Sequence, residues 1–317
     1  MHGDGHGGVH HHDGLLNVNG IFEERFDVIL TNPPFGSRID KSQKITEADQ
    51  FKDEDLIAKY KEKYGNAYDE ALKQVNDNIG KPLLSLYDTG SMSGLTEVLF
   101  MERCLRLLKK GGRMGMVLPE GVLNTSNLAK VREYFEGRAK IILICSIPQD
   151  VFIAAGATVK PSLVFFKRFT EEEEQLYASC KRKAYLECYE KYKEEADKLN
   201  ADHQLLINAG KSRSREAKAI RSRLEAISNA VNDDAKPLVK EYFDYEIPIA
   251  MVKDAGITTT GAKSENNELP KLVEEFAAYN EKAKLWQHSD GSVLYKYNVE
   301  KDGSVIRIFD GKKDVWA

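Results

Sequence analysis

The residues best suited to chemistry lie in one short segment, Asp27 to Gly36, which reads Asp-Val-Ile-Leu-Thr-Asn-Pro-Pro-Phe-Gly. An apolar run ends there in an Asn-Pro-Pro-Phe corner. A residue that precedes proline is restricted to extended conformations, and proline itself has no N–H. Both restrictions keep the local carbonyl groups out of backbone pairing. We therefore expect the Asn32 amide oxygen and the Pro33 carbonyl to face a pocket as two neighbouring acceptors.

Two adjacent acceptors match a substrate –NH₂ group, which has two hydrogens to donate. Phe35 offers a flat face for a planar base. An amine conjugated to such a ring is a poor nucleophile because its lone pair is delocalised. Acceptors that hold its hydrogens favour a pyramidal nitrogen that can attack an electrophile, with positioning as a second contribution. The alternative is that the corner merely ends a strand, but the preceding apolar run and the Phe-Gly that follows favour a site.

The elements that must position this corner alternate between strands and helices over residues 1–170. A helix is predicted from about Thr96 to Lys110, ending in two lysines and two glycines. Four apolar runs predict strands: Phe26–Thr31, Arg113–Leu118, Lys140–Ile147 and Ser162–Lys167. The predicted fold is α/β, a partial doubly wound sheet covered on both faces, with ligands at the carboxyl ends of its strands.

Three further regions have distinct patterns. Residues 37–94 are charged and polar, which predicts a long surface insertion that is partly helical and partly mobile. Residues 171–235 carry two apolar stripes, one from Leu176 to Leu199 and one from Ala217 to Val231, typical of an antiparallel helical hairpin with a coiled-coil seam. Residues 236–317 predict a small α+β C-terminal region that is a candidate for subunit contact.

The hairpin contains a local excess of positive charge. Between Lys211 and Arg223 there are six basic residues and one acidic residue. Such a run is either a solvated helix face or a surface that contacts nucleic-acid phosphate or an acidic partner. The sequence alone leaves both interpretations open.

Composition excludes several classes of protein. The 317 residues include 46 basic and 50 acidic side chains, so the net charge of −4 excludes a strongly basic nucleic-acid coat. No apolar run is long enough to span a bilayer, and no secretory signal is present. Four widely spaced cysteines favour reduced thiols in a cytoplasmic protein. Five of the seven histidines fall in the first twelve residues, which we interpret as a polar loop rather than a metal site.

Beyond the corner itself, longer stretches resemble a known family. Asp27 to Gly36 looks like the catalytic motif of amino-group methyltransferases that use S-adenosylmethionine. The wider pattern resembles modification (M) subunits of type I restriction-modification systems. The stretches that carry this second resemblance are His2–His6, His11–Leu16, Leu86–Ser91, Leu99–Leu105, Lys110–Arg113, Val117–Leu123 and Val151–Lys167.

The resemblance implies transfer of a methyl group from S-adenosylmethionine to the exocyclic amine of adenine in DNA. Asn32, Pro33 and Pro34 would form the corner that holds the amine, and Phe35 would stack on the flipped base. Asp13 falls where the family binds the adenine amine of the cofactor. The target-base pocket of the family falls at Thr158, Val159 and Lys160. The implied partners are DNA, a specificity subunit and a restriction subunit, with no membrane and no metal.

The sequence departs from that family in one respect. The Gly-rich cofactor loop and the acidic residue that holds the ribose precede the region matching residues 1–16, and Gly111 to Gly115 does not replace them. We therefore expect a C-terminal portion of an M subunit, which binds S-adenosylmethionine weakly or not at all in isolation and lacks activity alone. Two alternatives remain: a non-catalytic module for assembly or DNA contact, and a methyltransferase acting on RNA or on protein glutamine.

Overall fold

Five strands build the sheet that carries the Asn32 corner. The structure is a computed structural model that describes residues 10–155, 159–288, 290–292, 295–299, 305–309 and 312–313. The strands of this sheet are β1 (Phe26–Thr31), β2 (Leu108–Pro119), β3 (Ala139–Ser146), β4 (Pro161–Arg168) and β5 (Ile249–Met251). Their spatial order is β1-β2-β4-β3-β5, with β4 antiparallel to both of its neighbours and the other pairings parallel. The predicted α/β class is confirmed.

By contact, the chain divides into two compact units, one formed by Met1–Phe169 with Ile247–Ala317 and the other by Thr170–Glu246. In the first unit, the helices that precede residue 170 are α1 (Glu54–Tyr64), α2 (Asn66–Asn76), α3 (Thr96–Leu107), α4 (Glu120–Asn124) and α5 (Ala129–Glu136). The main core lies between one face of the sheet and α3, α4 and α5, and includes Val98, Met116 and Phe166. Burial of these apolar side chains fixes α3 against the sheet.

The predicted end of α3 is wrong by three residues. The helix ends at Leu107, and Leu108 already pairs with Phe26 of β1. The next residues to pair are Val28 and Arg113, so residues 109–112 form a bulge opposite a single residue of β1. Gly111 has a φ of 76° there, and Lys109 forms a 3.2 Å ion pair with the buried Asp27. The two lysines and two glycines therefore shape a strand bulge rather than a helix cap.

Residues 37–94 are not a surface insertion, because many of their side chains enter the core. Tyr68 and Val75 of α2 are fully buried. Tyr87 packs with Leu15 and Leu16 in a second core cluster, and Tyr64 packs with Phe22 in another. Tyr60 stacks on Tyr64 and Tyr68, and Phe22 meets Tyr64 and Tyr68 edge to face, although the charged and polar composition of the segment indicated a surface.

The second face of the sheet is covered unevenly. At its β3 end, Cys145 and Leu163 pack against Ala250 of β5 and Leu272 of α9 (Leu269–Ala283). At the other edge, Leu30 of β1 is 76% exposed and Val28 is 43% exposed. The small strands β6 (Ala255–Ile257) and β7 (Lys263–Asn267) pair with each other, and β8 (Tyr295–Val299), β9 (Val305–Phe309) and β10 (Lys312–Lys313) form a separate ribbon.

The second unit contains three helices: α6 (Glu171–Tyr189), α7 (Lys193–Asn208) and α8 (Arg215–Tyr242). Thr170 and Glu173 cap α6 reciprocally. The predicted seam is present, with Ala184 of α6 and Val231 of α8 fully buried. Leu176, predicted to lie in the stripe, is 54% exposed, because the seam begins one turn later at Cys180.

The structure also describes the state of the cysteines and the apolarity of the helices. All four cysteines are buried free thiols, and burial raises the pKa of Cys104 to about 12. Within the part of the chain that the structure describes, no helix combines the length and apolarity needed to cross a membrane.

Candidate active site

The sheet topology brings the corner and the segment before β4 to one edge. β1, β2 and β3 run in the same direction, so their carboxyl ends meet there, and β4 begins at that edge. Asn32 follows β1, Glu120 follows β2, and Lys160 immediately precedes β4. This is the edge at which α/β sheets place ligands, as the sequence predicted.

The residues of the corner differ in exposure. Asn32 is exposed and Pro33 is buried, while Pro34 is exposed and Phe35 is half-buried. Among the described residues, neither the Asn32 side chain nor the Pro33 carbonyl has a hydrogen-bond partner. The Pro34 carbonyl, in contrast, accepts a hydrogen bond from the Thr96 hydroxyl at 2.9 Å. Two acceptors at successive residues therefore remain available for a ligand.

Phe35 has an aromatic neighbour that sequence reasoning did not assign. The ring of Phe152 lies 6.2 Å from that of Phe35, centroid to centroid, with the planes inclined at 66°. Phe152 lies on a short 3₁₀ segment, Gln149–Ala155, that leads towards β4. Two rings meeting edge to face beside paired acceptors form a surface suited to a flat heterocycle.

The predicted target-base residues are only partly within the described chain. Thr158 lies outside the described residues. Val159 is 40% exposed, and Lys160 forms a 3.6 Å ion pair with Glu120. The backbone N–H of Glu120 also donates to the Lys160 carbonyl at 3.0 Å. The structure thus fixes Lys160 at the same sheet edge as the corner, through the residue that follows β2.

The N-terminal turn of α3 contacts the corner directly. The Thr96 N–H donates to the Ser37 carbonyl at 3.0 Å, and the Thr96 hydroxyl lies 3.2 Å from the same oxygen. Glu97 accepts a hydrogen bond from the Gly36 N–H at 3.2 Å. Both Thr96 and Glu97 are buried. The backbone from Pro34 to Ser37 is thereby held by side chains from a helix that begins about 60 residues later in the chain.

The loop from Asp13 to Asn17 is the second part of the candidate site. Asp13 is half-buried, and its Oδ1 accepts from the Leu15 N–H at 2.9 Å. Its backbone carbonyl accepts from the Leu16 N–H at 3.1 Å. This closed turn occupies Oδ1 of the Asp13 carboxylate, and its Oδ2 has no partner among the described residues.

A buried arginine on α3 organises that loop. Arg103 is 1% exposed and donates to the Gly14 carbonyl at 3.2 Å, the Leu16 carbonyl at 2.8 Å and Asn17 Oδ1 at 2.6 Å. Tyr87 adds a hydrogen bond to the Leu15 carbonyl. Burial raises the pKa of Tyr87 above its usual range, so its hydroxyl keeps the proton that it donates. Hydrogen bonds from buried side chains therefore hold this loop against the core.

Sequence reasoning missed four residues of this arrangement: Thr96, Glu97, Arg103 and Phe152. A charged or hydroxyl residue inside an amphipathic helix pattern was the available signal for the three on α3. Thr96, Phe100 and Arg103 recur at helical spacing, so they share one face. Phe152 lies within Val151–Lys167, a stretch that carries the family resemblance, but no role of its own was assigned to this residue from the sequence.

The described residues contain no cluster of three or more His, Cys, Asp or Glu side chains that could hold a metal ion. His2 and His6, part of the histidine-rich start, lie outside those residues.

Comparisons with known proteins bear on residues 84–219, which match the family described as N-6 DNA Methylase. This range includes α3 and β2 to β4, and the Asn32 corner precedes it. Among curated proteins, none matches the chain.

Solved structures also resemble the chain. One, described as the structural basis of assembly and conformational transition of a type I R-M system, is 27% identical over 46% of this chain and 22% of that chain, with a TM-score of 0.28. The modification subunit of a putative type I restriction enzyme from Vibrio vulnificus YJ016 is 23% identical over 45% and 22%, with a TM-score of 0.30. The type I restriction enzyme EcoKI M protein is 18% identical over 48% and 22%, with a TM-score of 0.27. The chain therefore spans 22% of the length of each of these structures.

Proposed function

We infer that this chain, whose residues 84–219 match the N-6 DNA methylase family, takes part in methyl transfer from S-adenosylmethionine to the exocyclic amine of adenine in DNA. The observation that carries this inference is the corner at the end of β1. Its Asn32 amide and Pro33 carbonyl lie at the ligand-binding edge of the sheet without partners among the described residues. A site with two acceptors and flanking aromatic rings fits a planar base that carries an –NH₂ group.

The corner contributes to the chemistry through hydrogen bonding alone. Asn32 Oδ1 and the Pro33 carbonyl oxygen accept the two amine hydrogens, which turns the nitrogen lone pair away from the ring. The nitrogen gains positive charge as it forms its new bond, and the two oxygens stabilise that charge as it develops. The nitrogen is then acidic enough to lose its extra proton to water, so no strong base is required.

The cofactor would be held in part by Asp13. Its Oδ1 is engaged by Leu15, and its Oδ2, without a partner among the described residues, can accept from the adenine amine of S-adenosylmethionine. The Asp13 carboxylate therefore fits the adenine end of S-adenosylmethionine. When bound, S-adenosylmethionine supplies an electrophilic methyl group. The described residues near the corner hold the acceptor base, with Phe35 and Phe152 contacting its face.

We also propose DNA as the partner of a basic surface at the start of α8, formed by Lys211, Arg213, Arg215, Lys218 and Arg221. All five are exposed. None forms an ion pair with a carboxylate in the described part of the chain, whereas Arg223 pairs with Glu195 at 2.6 Å. Arg215 and Lys218 face away from the buried stripe of Ala217, Ile227 and Val231. Solvent-facing cations without local counter-charges favour a phosphate backbone over a solvated face.

A test of this basic surface compares two triple variants of equal charge. We expect Arg213→Gln, Lys218→Gln and Arg221→Gln together to weaken binding of duplex DNA at least about tenfold at roughly 0.1 M salt. The salt dependence should fall by up to about 0.9 for each phosphate that the variant no longer neutralises. The control is Lys181→Gln, Arg182→Gln and Lys198→Gln on α6 and α7, which changes net charge equally at exposed positions. Equally weakened binding in both variants, measured by fluorescence anisotropy, would show that only net charge matters.

The wider assembly follows from the same proposal. Recognition of a DNA sequence is assigned to a separate specificity subunit, with a restriction subunit as a further partner, as in type I systems. Free buried thiols and a DNA substrate both favour a cytoplasmic protein.

The proposed function is tested by substrate comparison. The tagged chain is isolated from its native cells with the subunits that copurify, and is incubated with labelled S-adenosylmethionine and equal masses of DNA, RNA and protein. We expect label in DNA. Label in RNA or on protein glutamine would show that DNA is not the substrate, while the proposed chemistry of the corner would still apply. Absence of label from all three, in a preparation shown to bind DNA, would support a non-catalytic DNA-contact module.

A further inference from the structure

We propose that Thr96 and Glu97, in the first turn of α3, are positioning residues for the Asn32 corner. The inference rests on the proposed function, because it concerns the geometry in which the corner meets an amine. Neither residue offers a group to the substrate in this arrangement, since both are buried behind the turn. Their effect passes through the backbone that they hold.

The contacts are arranged at successive backbone groups. The Thr96 hydroxyl contacts the Pro34 carbonyl at 2.9 Å and the Ser37 carbonyl at 3.2 Å. Glu97 Oε2 accepts the Gly36 N–H at 3.2 Å. Gly36 has a φ of 71°, a conformation that most side chains disfavour, and the carboxylate holds the peptide group in that conformation. The chain that leaves the corner is therefore fixed on both sides of the turn.

The carboxyl group of Glu97 has a specific function in the turn. Glu97 is 4% exposed, and burying a carboxyl group is costly unless it is hydrogen-bonded. An apolar residue at this position would pack without that cost, but it would leave the Gly36 N–H without this acceptor. The hydrogen bond from Gly36 therefore gives this buried carboxyl group a role in the shape of the turn beside the proposed catalytic acceptors.

The same helix also holds the second half of the site. Phe100 packs so closely on Gly14 that a Cβ there would lie 3.1 Å from its ring, and Arg103 binds the loop that follows. Thr96 and Arg103 are seven residues apart, which is two helical turns or roughly 10 Å along the axis. One rigid helix therefore sets the separation between the Asp13 loop and the Asn32 corner. In the proposed function, the Asp13 loop contacts the adenine of the cofactor, and the Asn32 corner contacts the base that accepts the methyl group.

The test uses two matched pairs of variants in the native complex. Thr96→Val removes the hydroxyl at nearly constant shape, and Thr96→Ser retains it. Glu97→Ala removes the acceptor, and Glu97→Gln retains an acceptor oxygen. We expect Thr96→Val and Glu97→Ala to lower kcat for DNA methylation about 100-fold, with KM for S-adenosylmethionine changed less than about threefold. Thr96→Ser and Glu97→Gln should recover most of the rate.

A second readout separates this proposal from the function on which it rests. Amide hydrogen exchange at Gly36 should be slow in the unmodified protein and in Glu97→Gln, and at least about tenfold faster in Glu97→Ala. If the unmodified complex methylates nothing, the proposed function fails, and exchange at Gly36 alone decides whether Glu97 holds the turn. Unchanged exchange in Glu97→Ala, or a kcat within threefold of the unmodified complex in Thr96→Val and Glu97→Ala, would overturn the positioning role. Should Glu97→Ala fail to fold, Thr96→Val decides by the same rate criterion.

Discussion

Replacing Asn32 with Ala is expected to lower kcat for DNA methylation by at least about 100-fold and to leave the fold intact. The amide oxygen is one of two acceptors proposed to stabilise charge on the attacking nitrogen, and loss of one such preorganised group typically costs a factor of about 100 to 1,000. Stability should change by less than about 0.5 kcal/mol, because Asn32 is exposed and has no partner among the described residues. Initial rates with saturating S-adenosylmethionine, together with thermal melting, measure both effects.

The matched control for this variant is Asn127→Ala. Asn127 is also exposed and follows α4, but it lies in no part of the proposed site. We expect its rate to remain within about twofold of the unmodified protein. An Asn32→Ala protein that melts normally and retains its rate would remove the corner from the mechanism.

Replacing Arg103 with Leu is expected to destabilise the first unit by about 3–5 kcal/mol. The guanidinium group is 1% exposed and donates to two backbone carbonyls and to Asn17, so its loss leaves two buried acceptors and one partly buried acceptor short of a donor. It also leaves Glu23, which lies 3.7 Å from Arg103, without that cation. Removing a buried charged donor from the acceptors that it satisfies, together with its partly buried ion pair, commonly costs this much.

Urea denaturation of the whole chain, followed by a probe in the first unit, measures the effect. Arg221→Leu serves as the control, because Arg221 is exposed on α8 and its removal should change stability by less than about 0.5 kcal/mol. Arg103→Lys should fall between these variants, since lysine keeps the charge but cannot reach three acceptors in a planar arrangement. A loss below about 1 kcal/mol in Arg103→Leu would mean that the Asp13 loop is held by other contacts.

The strands around the corner could be predicted from the sequence because each is a short, mainly apolar run bounded by turn-forming or charged residues, even though Val28 and Leu30 of β1 are exposed. Phe26–Thr31 forms β1 with the predicted bounds, and the other predicted strands lie within a residue of, or inside, β2, β3 and β4. The start of β2 could not be predicted. Residues 109–112 have the composition of a helix cap, and only pairing with β1 makes them a bulge.

The parts of the site that escaped prediction are those set by tertiary contact. Glu97 and Arg103 are charged residues on a helix, and their spacing gives no sign that both are buried or which backbone groups they bind. Those partners lie about 60 and 90 residues earlier in the chain. The prediction for residues 37–94 was wrong for a similar reason, since the charged and polar composition of the segment indicated a surface, whereas its tyrosines pack into a core.

The proposed pairing of Asn32 and Pro33 with an aromatic amine is tested most directly by the site of methylation. Mass spectrometry of nucleosides from DNA treated with the native complex is predicted to show N6-methyladenine, absent when the complex carries Asn32→Ala. Detection of N4-methylcytosine would show that the target is the exocyclic amine of cytosine rather than that of adenine, with the role of the corner unchanged. A methyl group on a ring carbon, such as C5 of cytosine, would contradict the account, because no N–H is present there for the two oxygens to accept.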